Sequence, residues 1–239
     1  MKVPWSDYAP DLISALWKTL EYTVLGFIGA VLLGLALALM RLNPSRLLRW
    51  PAAVYTELFK NVPLLAIIFI TYFGLASINI RLDALMAGAL SLVIFYAAYL
   101  SEIFRAALSG VPAGQQEGAQ ALGMSRARSF RQVILPQALR LALPGTATML
   151  VDLLKSTSLL VTIAAGELMS EAQLISSETF RAMEVYLVIA AIYFAVCYPV
   201  SQLLLLFERK VIAGTPLTRG RRRRLKKATA LLQQTGVAS

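Results

Sequence analysis

The chain has 239 residues, of which 58% are hydrophobic, and a formal net charge of +10 from 23 basic and 13 acidic side chains. A water-soluble domain of this length cannot bury that much apolar surface, so the composition excludes an ordinary globular protein and favours a membrane protein. The chain has no histidine and a single cysteine, Cys197, which excludes a His/Cys metal site and an intrachain disulfide. It also lacks G-x-x-x-x-G-K-[ST] and G-x-G-x-x-G loops, which excludes nucleotide binding by those loops.

Five apolar runs dominate the sequence. Four of them carry no charge and have about the ~20 residues that a helix needs to cross a ~30 Å hydrocarbon layer. These four runs are Tyr22–Met40, Asn61–Ile80, Ala84–Ser101 and Val185–Phe207. The fifth, Leu141–Gly166, is long enough but contains Asp152 and Lys155, and a charge inside a bilayer is usually paired or functional. We therefore predict an all-α integral membrane protein with five transmembrane helices.

Residues at helical spacing predict several side-chain contacts. Glu57 with Lys60, and Glu102 with Arg105, are opposite charges three residues apart and are expected to form ion pairs. The first apolar run also contains a small-residue stripe with a repeat of four, which allows close helix packing. The stripe consists of Gly26, Ala30, Gly34 and Ala38. It can pack within the chain or form a seam with a second chain, and the pattern favours the first.

Basic residues are distributed unevenly between the connecting segments. They cluster between spans one and two, between spans three and four, and after span five, whereas the segment before span five carries glutamates. Since basic segments stay in the cytoplasm, we predict that the N-terminus is outside and the C-terminus inside. The first twenty residues contain two acids and no small-residue cleavage site, so we expect no cleaved signal peptide.

Residues 112–136, between spans three and four, interrupt the apolar chain with arginines. Pro112 can start a short helix, Gly123 is a natural left-handed stop, and Ser125 can cap a second helix that ends before Pro136. On this second helix the apolar side chains share one face and the arginines stay solvated. The apolar ones are Phe130, Val133 and Ile134. The spacing leaves open whether the segment lies on anionic lipid or docks on a partner protein.

The fourth span carries a polar tetrad near the middle of the bilayer, and Pro144 with Gly145 is expected to disturb the helix start. The tetrad is Lys155, Ser156, Thr157 and Ser158. One interpretation is a path for a small polar solute. The alternative is that Asp152 and Lys155, three residues apart, pair only with each other, and the spacing slightly favours this pair.

Residues 211–239 form a basic tail that we expect to be cytoplasmic. Its polybasic run, Arg219–Lys227, is typical of affinity for the lipid surface or of a topology lock. The run has no interleaved aromatic residues, so we expect no nucleic-acid binding.

Several motifs together resemble those of a known family. Glu117-Gly118-Ala119, then Gly123, then Ile134 and Pro136 resemble the E-A-A…G…I-x-L-P loop of bacterial ABC-transporter permeases, with Gly118 in place of the usual alanine. Four longer blocks are similar to signature blocks of the polar amino-acid permease subfamily. They are TELFKNVPLL (56–65), AAYLSEIFRAALSGVPAGQ (97–115), LPQALRLALP (135–144) and LLKSTSLL (153–160). Where that subfamily commonly has G-N-E, this chain has Ala147, Thr148 and Met149.

The resemblance covers roughly residues 19–210 and implies a permease subunit of an ATP-driven importer for polar amino acids in the bacterial inner membrane. It implies that residues 1–210 form the permease domain, and that the 112–136 segment docks into a groove on an ATPase subunit. The docking residues would be Glu117, Gly118, Ala119, Gly123, Phe130, Ile134 and Pro136. In the fourth span, Lys155 would meet the substrate carboxylate, Asp152 its amine, and the three hydroxyls of the tetrad would orient it.

The implied partners are two cytoplasmic ATPase subunits, a second permease that is a copy or a homologue, and an extracytoplasmic solute-binding protein. ATP would be bound by the ATPases, so we expect no cofactor, metal or enzymatic activity in this chain itself. The competing hypothesis is a self-sufficient channel or secondary carrier. Such carriers commonly contain inverted repeats, and the sequence has no evident internal repeat.

Overall fold

The computed structural model describes residues 3–213, and within this range the chain forms helices and no strand. The helices are α1 (Trp5–Leu42), α2 (Arg46–Asn61), α3 (Leu64–Ser77), α4 (Ala84–Ser109), α5 (Ala113–Ala121), α6 (Arg126–Ile163), α7 (Leu168–Thr179) and α8 (Ala182–Ala213). The predicted all-α fold is confirmed. The basic tail predicted for residues 211–239 lies outside the described residues from position 214 onward.

Four helices, α1, α4, α6 and α8, are each long and apolar enough to cross a membrane. The predicted span Asn61–Ile80 contains the single helix α3, which is shorter than predicted and joins α2 at a bend of 107°. Pro63 explains the break, since the residue before a proline avoids the helical conformation, and Val62 has φ −95° and ψ 130°. The chain is a multi-pass membrane protein with five spans when the bent pair counts as one.

The centre of the bundle is the contact between α1 and α4, which run side by side in the same direction. A Cβ atom at Gly26 would lie 3.0 Å from Leu92 Cβ, and one at Gly34 would lie 2.9 Å from Leu100 Cβ. All four residues of the small-residue stripe are buried. The stripe therefore packs within the chain, as predicted, because the small side chains of glycine and alanine let the two backbones approach closely.

Ion pairs join the helices at one end of this contact. Glu102 accepts hydrogen bonds from Arg105 on its own helix and from Arg41 on α1. Lys60 Nζ lies 3.2 Å from Glu57 Oε1. Both pairs predicted from the i, i+3 spacing are confirmed, and the bond from Arg41 adds a link between helices that local spacing did not reveal.

Helix α1 begins at Trp5, well before the predicted start at Tyr22, and α7 occupies most of a segment that the sequence predicts only as an acidic connection. The two departures have one cause, because Leu12 of α1 packs in the same buried cluster as Leu168 and Ile175 of α7. Tertiary contact stabilises the first turns of α1 and the whole of α7, although both segments are too polar to be recognised as spans from the sequence.

Helix α6 corrects two predictions about its prolines. The helix was expected to end before Pro136, and Pro144 with Gly145 was expected to disturb the start of the next span. Instead, α6 begins at Arg126 and continues through both prolines. A π turn over Phe130–Ile134 ends two residues before Pro136. The extra residue in such a turn accommodates the proline ring and the missing backbone donor without ending the helix.

Long-range contacts define two ends of the bundle. At one end, which we call the α7 end, the Tyr8 hydroxyl near the start of α1 donates to Glu178 of α7, and the Tyr22 hydroxyl donates to the carbonyl of Ala165. At the opposite end, which we call the α5 end, lie the end of α1, the end of α4, helix α5 and the start of α6. The 112–136 segment and α7 thus lie at opposite ends.

Candidate functional site

Helix α5 and the glycine that ends it form a projecting turn at the α5 end. Glu117 and Gly118 are exposed, and Ala119 is the buried residue of the helix. Gly123 has φ +80°, its N–H donates to Gln120 O at 2.9 Å, and the next N–H donates to Ala119 O at 3.1 Å. These two bonds form a Schellman motif, in which a left-handed residue closes the helix. The predicted left-handed stop at Gly123 is confirmed.

The start of α6 forms the second half of this element. The Ser125 hydroxyl accepts a hydrogen bond from the N–H of Arg128 at 3.4 Å, so the predicted cap is present. Arg126, Arg128 and Arg131 are exposed, as predicted. Of the predicted apolar face, Phe130 is 39% exposed, while Val133 and Ile134 are half-buried and Pro136 is exposed. The face therefore both packs on the bundle and leaves an aromatic ring accessible.

Two features of this element were missed by sequence reasoning. Leu122, at the tip before Gly123, is 85% exposed, and so large an exposed apolar side chain is suited to contact with another protein. The Gln137 amide donates to Gln115 Oε1 at 3.2 Å and to Val133 O at 2.9 Å, which ties α5 to α6. The exposure of Leu122 could have been inferred, because it is an apolar residue directly before a helix-stop glycine. Nothing in the sequence indicates the hydrogen bond between Gln137 and Gln115.

The structure divides four of the five residues of the predicted solute path into two pairs. Asp152 and Ser156 meet at the Tyr96 hydroxyl of α4, which lies 2.8 Å from Asp152 Oδ2 and 2.7 Å from Ser156 Oγ. The hydroxyls of Thr157 and Ser158 instead donate to backbone carbonyls of their own helix, each at 2.7 Å. Thr157 is fully buried. These two hydroxyls are therefore already satisfied inside the helix.

Asp152 and Lys155 line a cleft of about 250 Å³ between α6 and α8. Thr148, Ser201 and Glu208 contribute further polar groups to its lining. Within residues 3–213 the structure shows no ion pair between Asp152 and Lys155, so the simple pairing of these two charges is not what it contains. An open cleft that presents an ammonium and carboxylates can contact both charges of a small zwitterion.

Tyr96, Ser201 and Glu208 are the residues of this region that sequence reasoning missed. Tyr96 lies inside a charge-free run of α4, where its hydroxyl gives no pattern that would distinguish it from a core aromatic. Ser201 and Glu208 lie on α8, far from α6 in sequence. Only the antiparallel packing of α6 on α8 brings them into the cleft.

A second polar cluster lies at the α7 end and serves the fold. Glu167 is fully buried, and its carboxylate accepts bonds from the N–H groups of Met169 and Ser170, each at 2.8 Å, and from the Tyr193 hydroxyl at 3.1 Å. Burial raises the pKa of the Glu167 carboxyl above its ordinary value, and the hydrogen bonds oppose this shift. Glu167 caps α7 and joins it to α8.

Known proteins share this architecture over most of the chain. The family model described as "Binding-protein-dependent transport system inner membrane component" matches residues 30–213. The chain is 39% identical over 188 residues to the "Probable amino-acid ABC transporter permease protein YckA" of Bacillus subtilis (strain 168), a match that covers 79% of this chain and 83% of that protein. It is 35% identical over 185 residues to the "Probable glutamine ABC transporter permease protein GlnM" of the same organism, covering 77% and 86%.

Solved structures give the same result. The "Crystal structure of an amino acid ABC transporter with histidines" contains a chain with 37% identity and a TM-score of 0.82, covering 88% of this chain and 100% of that one. A chain of the inward-facing MetNI methionine ABC transporter has a TM-score of 0.74 over 88% of this chain and 99% of that one, and at 19% identity it bears on the fold alone. The resemblance drawn from the sequence motifs is thus confirmed, and the chain belongs to the family of inner membrane components of binding-protein-dependent transport systems.

Proposed function

We propose that the chain is the permease subunit of an ATP-binding-cassette importer for polar amino acids. The observation that carries this proposal is the α5–α6 element, which presents Glu117, Leu122 and Phe130 around a left-handed Gly123 at one end of a family-typical bundle. An exposed, rigidly closed helix turn is suited to docking on another protein. The names of the relatives, which include amino-acid and glutamine permeases, support the substrate class.

The proposed assembly contains this chain, a second permease that is a copy or a homologue, two cytoplasmic ATPase subunits and an extracytoplasmic solute-binding protein. The α5 end faces the cytoplasm of a bacterial cell, in agreement with its basic residues, and the N-terminus faces outward. ATP binds to the partner ATPases, whose closure moves the 112–136 segment. Asp152 and Lys155 contribute to the path that the amino acid follows through the inner membrane, alongside Ser156.

The test measures labelled glutamine uptake and ATP hydrolysis by the reconstituted complex with its binding protein. Gly123→Leu should lower uptake per ATP hydrolysed, because a leucine in the left-handed conformation costs roughly 1 kcal/mol or more and distorts the turn. Gly114→Leu is the matched control, since a Cβ at either glycine meets nothing within 4 Å and only Gly123 has a positive φ. Glu117→Lys should uncouple the complex as well.

Two results would contradict the proposal. Unchanged coupling in both Gly123→Leu and Glu117→Lys would mean that the segment does not transmit ATPase motion. Robust uptake by the chain without any ATPase would identify it as a self-sufficient channel or carrier instead.

A further inference from the structure

A second large cleft lies at the α5 end, away from the cleft that contains Asp152 and Lys155. It measures about 670 Å³ and is bounded by the end of α1, by α2 and by the end of α4. Its lining residues include four arginines and no acid, and they are Arg41, Arg46, Arg49, Trp50, Ala53 and Arg105. Such a concentration of guanidinium groups favours an anionic ligand, because arginine binds phosphate with several donors at once.

The four arginines are not equally available to a ligand. Arg41 and Arg105 are bound to Glu102, which holds both in place and offsets part of their charge. Arg46 and Arg49 are exposed, and within residues 3–213 neither forms an ion pair. The cleft therefore has a fixed basic wall and two basic side chains that remain free to bind.

Helix α2 carries an apolar surface next to this cleft. Leu47, Trp50, Val54 and Leu58 follow one another at helical spacing, and all four are exposed, Leu47 by 83% and Trp50 by 70%. The opposite face of α2 packs inward through the buried Ala52 and Thr56, and beside it the Tyr55 hydroxyl donates to Ile94 O of α4 at 2.9 Å. Trp50 belongs to both the cleft and the apolar stripe.

The orientation of α2 indicates what covers this surface. The 107° bend places α2 nearly perpendicular to α3, so α2 lies close to the membrane plane when α3 crosses the bilayer. An amphipathic helix in that orientation buries its apolar face at the boundary between headgroups and acyl chains, where tryptophan is enriched. Basic clefts at that depth face the phosphates of the leaflet.

From this arrangement we infer that the cleft binds the headgroup of an anionic phospholipid, with the phosphate at Arg46 and Arg49 and the acyl chains along Leu47 and Trp50. A soluble phosphate would use the arginines and leave the apolar stripe uncovered. An acidic segment of a partner protein would do the same, whereas a lipid satisfies both surfaces with one molecule. The inference does not depend on which solute the protein transports.

The experiment uses Trp50 as a reporter in the full-length chain, purified with the subunits that co-elute and placed in phosphatidylcholine bilayers with a minor fraction of phosphatidylglycerol. Trp5 and Trp17, the other two tryptophans of this chain, are replaced by phenylalanine, and so are the tryptophans of any co-eluting subunit. Brominated acyl chains quench tryptophan fluorescence on contact. Bromine carried by phosphatidylglycerol should quench Trp50 more strongly than the same amount carried by phosphatidylcholine.

The double variant Arg46→Gln with Arg49→Gln should remove this preference. Each basic residue near an anionic surface strengthens lipid binding about fivefold, so the preference should fall by roughly 25-fold. The double variant Arg126→Gln with Arg128→Gln is the matched control, because it removes the same charge from exposed positions outside the cleft. It should retain the preference.

Four outcomes would overturn the inference. Equal quenching by both brominated lipids in the parent protein means that the cleft selects no anionic lipid. Loss of the preference in the Arg126 and Arg128 control means that a diffuse basic surface is responsible. Abolition of the preference by millimolar inorganic phosphate, or release of a co-eluting subunit from the Arg46 and Arg49 variant with quenching unchanged, assigns the arginines to a soluble anion or to a protein partner.

Discussion

Lys155 and Asp152 line the same cleft from positions three apart on α6, but they are held differently. The Asp152 carboxylate accepts a hydrogen bond from the Tyr96 hydroxyl, and the structure shows no ion pair between Asp152 and Lys155 within the described residues. A lysine exposed to a cleft and not committed to an internal partner is available to a carboxylate from outside. This arrangement supports the proposal that Lys155 contacts the substrate carboxylate.

We expect Lys155→Met to abolish labelled glutamine uptake while the assembly with the ATPases remains intact. The double variant Asp152→Asn with Lys155→Met should remain inactive, because it still lacks the ammonium that is proposed to meet the substrate carboxylate. Lys60→Met is the control, since Lys60 pairs with Glu57 outside the cleft and its loss should change uptake less than twofold. Restored uptake in the double variant would mean that Lys155 only balances Asp152.

Glu167 provides a prediction about pH. Burial raises the pKa of its carboxyl, so the folded chain binds this proton at a higher pH than the unfolded chain does. The stabilisation that results is fully present below the ordinary pKa of glutamate and is lost as the pH rises through the raised value. Acidification from neutral pH to about pH 5 should therefore raise the apparent unfolding temperature of the wild type relative to Glu167→Gln.

Thermal unfolding of both proteins in the same detergent, followed across this pH range, measures the effect. The other titrating groups, including Glu171, whose pKa burial also raises, are present in both proteins and cancel in the difference. A difference between the two unfolding temperatures that stays constant with pH would show that the carboxyl does not titrate in this window.

At the scale of elements, the bundle depends on how closely α1 approaches α4. A Cβ at Gly34 would lie 2.9 Å from Leu100 Cβ and 3.1 Å from the backbone oxygen of Ala97, and a backbone atom cannot move aside as the end of a long side chain can. Gly34→Ala should lower the free energy of unfolding by about 1–3 kcal/mol, the usual cost of overpacking.

The matched control for this contact is Gly74→Ala in α3. The nearest atom to a Cβ at Gly74 is Ile70 Cγ2 at 3.6 Å, an ordinary van der Waals distance. Its effect on stability should stay within about 0.5 kcal/mol. Denaturant or thermal titration of both variants in detergent compares them, and equal destabilisation would mean that the helix approach at Gly34 is not limiting.

For the whole molecule, the two ends of the bundle predict a labelling pattern. The α5 end is expected to face the cytoplasm because it carries the basic segments, and α7 lies at the opposite end. Ser177→Cys on α7 should react with a membrane-impermeant maleimide in intact spheroplasts. Gln116→Cys on α5 should react only after permeabilisation. The native Cys197 is buried and can be replaced by alanine to remove background.

The reverse labelling pattern would place the 112–136 segment outside the cell and exclude its contact with a cytosolic ATPase. Labelling of both positions from the same side would contradict the structure itself. The two cysteine variants therefore test the orientation separately from the fold.

Features of this protein that depend on neighbours along the chain could be predicted from the sequence. Apolar runs predicted the spans because a bilayer selects for length and hydropathy, both local properties. The Gly123 stop and the Glu102–Arg105 pair followed from backbone preference and from helical spacing. The 112–136 segment was recognised for the same reason, since its capping residues and its face of arginines lie within one short stretch.

Tertiary structure decided the features that join distant segments. The meeting of Tyr96 with Asp152 and Ser156, the cleft between α6 and α8, and the extension of α1 back to Trp5 all depend on which helices pack together. The continuation of α6 through Pro136 depends on a π turn that no pattern in the sequence predicts. Side chains far apart in sequence come into contact only when their helices pack. Their spacing along the chain therefore does not predict these contacts.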